Sequence, residues 1–187
     1  MTTETTATDP RYPIGPFRAP ESMSEEDRQQ AIQRIGILPA HLRAAVEGLT
    51  DGQLDTPYRE DGWTVRQVVH HVVDSHLNAY IRFKTVLTED RPTIRPYDQD
   101  AWSNLADASD PLEGSLRVLE ALHGRWERLL ISIEAAAWHR PFIHPESGEH
   151  TLEWLLALYA WHGDHHVAHV TRLRAAEMDS RRGKGEA

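Results

Sequence analysis

Four long segments of this chain place apolar residues three and four positions apart, and this pattern constrains the fold more than any other feature of the sequence. Such spacing puts the apolar side chains on one face of an α-helix. The pattern predicts helices over about 24–49, 65–87, 111–136 and 152–178. Pro39 lies inside the first segment and predicts a kink or an interruption there, because proline cannot donate a helical hydrogen bond.

Residues that favour helix starts stand before three of these segments. They are Thr64 with Gln67 as a capping box, Asp110 followed by Pro111 at the first helical position, and Thr151 as a candidate N-cap. These signals strengthen the helix predictions at the points where periodicity alone defines a boundary poorly.

No segment alternates apolar and polar residues in the way that a half-buried strand does, so we expect no sheet, and at most a short extended turn within 136–150. Each apolar helix face must be covered by another, so the expected fold is all-α, an antiparallel four-helix bundle. The long loop over 88–109, between the second and third predicted helices, is expected to cap one end of the bundle.

The length of 187 residues fits one domain. We expect a flexible N-terminal tail over 1–11, one helical domain over 12–178 and a flexible C-terminal tail over 179–187. Residues 12–22 carry apolar and aromatic side chains and are expected to pack on the body of the domain.

Composition excludes several functions. The 20 Lys and Arg against 29 Asp and Glu give a net charge of −9, which argues against a nucleic-acid partner. No apolar run is long enough for a transmembrane helix or a signal peptide, so we expect no membrane partner and a cytoplasmic location. The chain has no cysteine, which excludes disulfides, cysteine zinc sites and a catalytic thiol of its own.

Histidine is unusually frequent, with twelve in the chain. His162, His166 and His169 lie in the apolar stripe of the fourth predicted helix, and burial is unfavourable for imidazoles whose nitrogens lack partners. A divalent metal would take a lone pair from each ring, and His-x-x-x-His aims two rings at one ion. Hydrogen-bonded core histidines are the alternative. Gly163 replaces the Glu of the zincin motif, so a metalloprotease of that type is not expected.

Two further helices contribute candidate site residues. On the second predicted helix, a polar stripe begins at His71 and includes Asp74 and Arg82. This stripe either faces solvent or lines a water-filled cavity inside the bundle. In the cavity, His71 would be a third metal ligand, Asp74 would orient a ligand imidazole and Arg82 would bind an anion. His123 of the third predicted helix is a fourth ligand, a substrate contact or, as we favour, a hydrogen-bonded core histidine.

Four motifs carry a resemblance to a known family. They are GWTVRQVVHHVVDSHLNAYIRFK (62–84), PTIRPYDQDAW (92–102), LHGRW (122–126) and YAWHGDHHVAHV (159–170). In this order and with these gaps they resemble the YfiT group of the DinB-like superfamily, with similarity from about Tyr12 to Leu173. The resemblance implies a four-helix protein that binds one divalent metal ion, nickel or zinc, through His71, His162 and His166. It also implies a cytoplasmic homodimer.

The resemblance implies either a metal-dependent hydrolase or a bacillithiol S-transferase. We expect the transferase, in which a thiol such as bacillithiol binds the metal as thiolate and attacks an electrophile such as an epoxide or an alkyl halide. Arg82 and Arg95 would hold the carboxylates of this cosubstrate. One alternative is a hydrolase that uses metal-activated water, with Asp74 or His123 as general base. A second alternative is a metal-binding protein without catalytic activity.

Overall fold

The computed structural model describes the backbone of residues 9–185 and the side chains of residues 9–176. Within this range the elements are α1 (Glu25–Val46), α2 (Asp51–Leu54), α3 (Val65–Thr88), α4 (Gln99–Trp102), α5 (Leu112–Ile131), β1 (Pro141–His144), β2 (Gly148–Thr151) and α6 (Leu152–Gly185). Short 3₁₀ turns, Ala106–Ser109 and Ala135–His139, precede α5 and β1. No helix in this part of the chain combines the length and apolar character needed to cross a bilayer.

The four long helices pack into the predicted bundle, which is thereby confirmed. Helix α1 lies against α5 and α6, and α3 lies against the same two helices. Two apolar clusters fill the space between them, one around Phe83 and Trp126 and the other around Leu42, Val69 and Leu119. Each of these side chains is completely removed from solvent. Helices α3 and α6, which carry most of the candidate ligands, are therefore held together along an apolar interface.

Two helix starts follow the sequence, and one differs from it. At the start of α6, Thr151 Oγ1 accepts a hydrogen bond from the N–H of Trp154 at 3.3 Å. The capping box of Thr64 and Gln67 is present at the start of α3, with both reciprocal hydrogen bonds formed. Helix α5 begins one residue later than predicted, because Pro111 rather than Asp110 is the N-cap, and no side chain caps this end. Pro39 does not interrupt α1, which continues through it to Val46.

The expectation that the chain has no sheet is wrong. Strands β1 and β2 form an antiparallel hairpin in which Pro141 pairs with Thr151 and His144 with Gly148. Gly148 has a φ of +89°, a conformation that glycine adopts readily, and it closes the turn. Strands of four residues are too short for alternation to be recognised. The third predicted helix also ends earlier than expected, at Ile131 rather than near residue 136, and the 3₁₀ turn Ala135–His139 lies between it and the hairpin.

The segment over 12–22 packs on α6, as expected. The ring centroid of Phe17 lies 5.7 Å from those of both Trp154 and Trp161. The indole Nε1 of Trp161 donates a hydrogen bond to the carbonyl of Gly15 at 3.2 Å. The division into tails and one domain stays a prediction, because residues 1–8 and 186–187 of the two predicted tails lie outside the described residues.

Candidate metal centre

Three histidines from two helices converge in the bundle. His71 comes from α3, and His162 and His166 come from α6. Each offers one ring nitrogen, and these atoms all lie within 4.8 Å of one another. The Nε2 atoms of His71 and His162 are 3.3 Å apart. Tetrahedral zinc with nitrogen ligands at about 2.0–2.1 Å separates its donors by roughly 3.3–3.4 Å, so this donor set fits a divalent ion. We call these three residues the triad.

The packing of α3 on α6 decides between the two interpretations of the polar stripe on α3. His71 is buried, with 5% of its surface exposed, so this part of the stripe is not a solvated face. The ring centroid of Trp63 lies 4.5 Å from that of His71 and covers it. On α6, His166 is buried and His162 is partly exposed. The triad therefore lies at the wall of the bundle, where a small molecule can reach it.

Burial keeps the triad neutral. Desolvation lowers the pKa of His71 to about 4, with the neighbouring His165 adding to the effect. Desolvation also lowers the pKa of His162 and of His166 well below the ordinary value, with nearby histidines as the second cause. Imidazole binds a metal ion in its neutral form. The lone pairs that a metal requires are thus available near neutral pH without loss of protons from these rings.

A cleft of about 590 Å³ opens on the triad. Aromatic rings form part of its walls: Trp161 stacks on His165 with centroids 4.4 Å apart, and Tyr58 lies on His169 at 4.0 Å. Arg59 also lines the cleft. The cleft thus combines flat apolar surfaces with polar groups beside the triad, an arrangement typical of a small-molecule site.

Unpartnered polar atoms are concentrated in this cleft. Among the described residues, Arg59 Nε, His165 Nδ1, His166 Nδ1 and both ring nitrogens of His169 are buried without a hydrogen-bond partner. The carbonyls of Pro10 and Arg11 face His169 without reaching hydrogen-bond geometry. A buried polar group without a partner costs stability unless a ligand or water satisfies it. These atoms therefore mark where a ligand would bind.

A second group of histidines lies equally close together. It consists of His165, His166 and His169, whose ligand atoms also lie within 4.8 Å of one another. Because His166 belongs to both groups, they compete for its ring. In the sequence, this group is visible as the spacing His-His-x-x-His over residues 165–169. Arg59 lies in a loop, and no sequence motif indicated a role for it.

Asp74 and His123 do not join the triad. Asp74 lines a neighbouring cavity that His71 also lines, together with His70 and Asp107, and in the described part of the chain its carboxylate makes no hydrogen bond to a triad histidine. Desolvation, and then Asp107, raises the pKa of Asp74. His123 is 1% exposed, and its Nδ1 donates to the carbonyl of Ile35 at 2.6 Å. It is the hydrogen-bonded core histidine that the sequence favoured.

Arg82 and Arg95 do not line the cleft, and their expected role in holding a cosubstrate stays a prediction. Arg82 donates to the hydroxyl of Tyr159 at 3.0 Å and to the carbonyl of Arg95 at 3.1 Å. The side chain of Arg95 is exposed, and neither arginine lines the cleft. The rise from His71 to Arg82 along α3 is about 16 Å, and Tyr159, which Arg82 contacts, has its ring centroid 5.7 Å from that of His162.

Gly163 lets α1 approach α6 between two triad residues. A Cβ atom added at residue 163 would lie 2.7 Å from Cδ2 of Leu38, which is itself buried in the core. The position that carries glutamate in the zincin motif therefore has no room for a side chain here. Asp164 lies on another face of the helix, where it accepts a hydrogen bond from Arg34 at 2.7 Å.

Gly163→Ala is expected to lower the free energy of unfolding by about 1–3 kcal/mol, because the methyl group overpacks the contact with Leu38. This cost exceeds the gain of about 1 kcal/mol in helix propensity. Chemical denaturation of both proteins measures the difference. Gly124→Ala on α5 is the matched control, since the nearest atom to its added Cβ is 4.0 Å away. Equal effects of the two substitutions would contradict the close-packing account.

The chain matches known proteins over most of its length. The model of the DinB superfamily matches residues 36–170. A protein of Bacillus subtilis (strain 168), named "Putative metal-dependent hydrolase YfiT", is 54% identical over 165 residues, which cover 87% of this chain and 92% of that protein. A protein of Bacillus mycoides (strain KBAB4) with the same general name is 54% identical over 166 residues, covering 89% and 96% of the two chains.

Two solved structures share the fold. The structure of YfiT from Bacillus subtilis, "a probable metal-dependent hydrolase with an unusual four-helix bundle topology", has a TM-score of 0.88 at 51% identity and covers 90% of this chain and 97% of that one. A second four-helix bundle protein has a TM-score of 0.53 at 19% identity over 75% and 94% of the two chains, a likeness of fold alone. The resemblance seen in the motifs is thus confirmed, and the chain belongs to the DinB superfamily and, within it, to the YfiT group.

Proposed function

We propose that this chain is a metal-dependent enzyme that joins a low-molecular-weight thiol, bacillithiol or a similar molecule, to an electrophile. The observation that carries the proposal is the convergence of three neutral imidazoles on an open cleft. A divalent ion such as zinc or nickel, when bound by His71, His162 and His166, keeps its +2 charge and lowers the pKa of a thiol or water beside it. Three protein ligands beside open space are typical of a catalytic rather than a structural site.

The nucleophile has to arrive with a cosubstrate, because the chain has no cysteine. The proposed reaction forms a bond between the thiol sulfur and a carbon atom of the electrophile. With an alkyl halide, the carbon–halogen bond breaks and the thiol proton passes to solvent. With an epoxide, a ring carbon–oxygen bond breaks and the oxygen takes up a proton. Neither reaction requires an oxidant or a reductant.

The walls of the cleft supply binding groups for such a cosubstrate. Arg59 lines the cleft and has a buried Nε without a partner, so we assign to it the carboxylate contact that the sequence suggested for Arg82 and Arg95. His169 offers two further unpartnered ring nitrogens. The ring of Trp63 packs on His71 and that of Trp161 on His165, so aromatic surface flanks the cleft.

Hydrolysis is the second candidate, and the names of the Bacillus relatives favour it. It requires a general base near the water that attacks, and an efficient base has a pKa near the working pH. His165 and His169 are histidines in the cleft outside the triad, and burial lowers the pKa of each to about 4. They are therefore weak bases near neutral pH, and for this reason we place thiol transfer first.

Two assays separate the two activities. We expect the zinc- or nickel-loaded protein to form a thioether from bacillithiol and an epoxide or alkyl halide, detected by mass spectrometry, and His162→Ala to lose this activity. Arg95→Gln, outside the cleft, is the matched control and should retain it. Turnover of an ester or amide panel without thiol would establish the hydrolase instead. A loaded protein that is inactive in both assays would be a binding protein, and the enzyme proposal would fail.

A cytoplasmic homodimer, without a nucleic-acid or membrane partner, is part of the same proposal. Leu77 and Ile81 lie one turn apart on α3 and are 36% and 59% exposed, so they are apolar groups that a second copy would cover. Sedimentation equilibrium tests the assembly. A monomer at all concentrations would remove the dimer from the proposal without affecting the metal site.

A further inference from the structure

A line of hydrogen-bonded rings leads from the triad into the core. His162 Nδ1 lies 3.1 Å from His76 Nε2, and His76 Nδ1 lies 3.0 Å from His123 Nε2. The line ends where His123 Nδ1 meets the carbonyl oxygen of Ile35 at 2.6 Å. We call His162, His76 and His123 the histidine relay. It joins all four long helices, because Ile35 belongs to α1, His123 to α5, His76 to α3 and His162 to α6.

The end of the relay is explained by a proline. In an α-helix the carbonyl of Ile35 would accept a hydrogen bond from the N–H of residue 39. That residue is Pro39, which has no N–H, although α1 continues through it. The carbonyl of Ile35 therefore lacks its helical partner, and it accepts the hydrogen bond of His123 instead.

The carbonyl determines the direction of every hydrogen bond in the relay. Because it can only accept, His123 must carry its proton on Nδ1, and its neutral Nε2 then accepts from His76 Nδ1. His76 accepts in turn on Nε2, so His162 must donate from Nδ1. A neutral His162 with its proton on Nδ1 has a lone pair on Nε2, the atom that lies 3.3 Å from His71 Nε2.

An additional proton would make one ring of the relay a donor at both nitrogens and would change the direction of these hydrogen bonds. The surroundings of the rings disfavour such a proton. His76 is completely buried and His123 is 1% exposed. Trp126 and Tyr159 pack edge-on against the ring of His76. Within the described residues, no carboxylate hydrogen-bonds to any ring of the relay. A buried imidazolium without a counter-charge is strongly unfavourable, so the three rings are neutral.

We propose that His76 and His123 are positioning residues that set the tautomer of His162 and thereby present its Nε2 to the metal. Without an acceptor at Nδ1, the proton of a neutral imidazole is free to lie on either nitrogen, and on Nε2 it blocks metal binding. The role in metal binding rests on the proposed function. The tautomer of His162 does not, because the relay defines it in the metal-free protein as well.

Two substitutions at His76 separate this role from packing. The amide of His76→Gln can accept from His162 Nδ1 and donate to His123 Nε2, which preserves the direction of the relay. His76→Leu fills the space with a side chain that neither accepts nor donates. Loss of a group that orients a ligand histidine typically weakens metal binding about 10–100-fold. We expect this loss in His76→Leu and an affinity close to that of the unsubstituted protein in His76→Gln.

The control is His70→Leu. His70 lies on the same helix, is also buried, and bonds to Ser115 and to the carbonyl of Asp110 rather than to the relay. Zinc affinity is measured by competition with a chelating dye, and folding of each metal-free variant by circular dichroism. The relay proposal is overturned if the two His76 variants lose affinity equally, if His76→Leu loses none, or if His70→Leu loses as much.

A spectroscopic measurement tests the tautomer directly. In ¹⁵N-labelled, metal-free protein, long-range ¹H–¹⁵N correlation spectra distinguish a protonated ring nitrogen from one with a lone pair. We expect the proton of His162 on Nδ1, and a proton on Nε2 would contradict the relay. If the tautomer is as expected but the unsubstituted protein binds no zinc or nickel, the proposed function fails and the relay itself stands.

Discussion

The purified, tag-free chain is expected to hold about one divalent metal ion, and His71→Ala and His162→Ala are each expected to lose it. Each substitution leaves two of the three imidazoles that converge within 4.8 Å, and two neutral ligands hold a divalent ion far less firmly than three. Elemental analysis by mass spectrometry, before and after reconstitution with zinc or nickel, measures the metal content. Loss in both variants would show that the site bridges α3 and α6.

Two further variants establish which histidines form the site. His70→Ala changes the neighbour of His71 but leaves the triad intact, so it should keep the metal. His169→Ala removes a member of the second histidine group but not of the triad, and it should also keep the metal. If His169→Ala loses the ion while His71→Ala retains it, the ion lies between His165, His166 and His169 instead. A protein without metal after reconstitution would leave all these rings as core histidines.

Acid is expected to unfold the metal-free protein between about pH 6.5 and pH 4. Burial lowers the pKa of His71, His165 and His169 to about 4, against 6.5 for an unperturbed histidine. The pKa of His123 is likewise lowered to about 4, and those of His76, His162 and His166 are lowered well below the usual value. In this pH range the unfolded chain therefore binds more protons than the folded protein does.

The sign of the effect follows from this difference in bound protons. The free energy of unfolding is highest above pH 6.5 and falls as the pH is lowered towards 4, by up to about 1.4 kcal/mol per pH unit for each ring that stays neutral when folded. Thermal unfolding followed by circular dichroism across this range measures the loss. His41→Gln is the control, since His41 is exposed and its substitution should leave the profile unchanged. A melting temperature independent of pH over this range would contradict the burial of neutral rings.

Local periodicity was sufficient to predict the long helices and their inward faces. The spacing of His162 and His166 places both rings on one side of α6 whatever surrounds the helix, because it depends only on the helical repeat. By contrast, the position of His71 opposite them depends on how α3 packs against α6. The residues left that point open between a solvated face and a cavity wall, and the family resemblance named His71.

The other polar residues likewise divide into those whose place follows from helical periodicity and those whose place depends on tertiary packing. Arg82 belongs to the polar stripe of His71 but does not line the cleft, and it donates to Tyr159 and to the carbonyl of Arg95 instead. Arg59 reaches the cleft from a loop that periodicity does not describe. The hairpin was missed because strands of four residues contain too little pattern.

The sequence by itself determined the helical bundle, the inward pair of histidines on α6 and the family, since these depend on spacing along the chain. Only the tertiary structure decided that Asp74, among the described residues, makes no hydrogen bond to a triad histidine although it shares a cavity with His71, and that His76 and His123 link the triad to Ile35. Hydrogen bonds between residues on four different helices depend on how those helices pack, and the helical repeat within one segment contains no information about that packing.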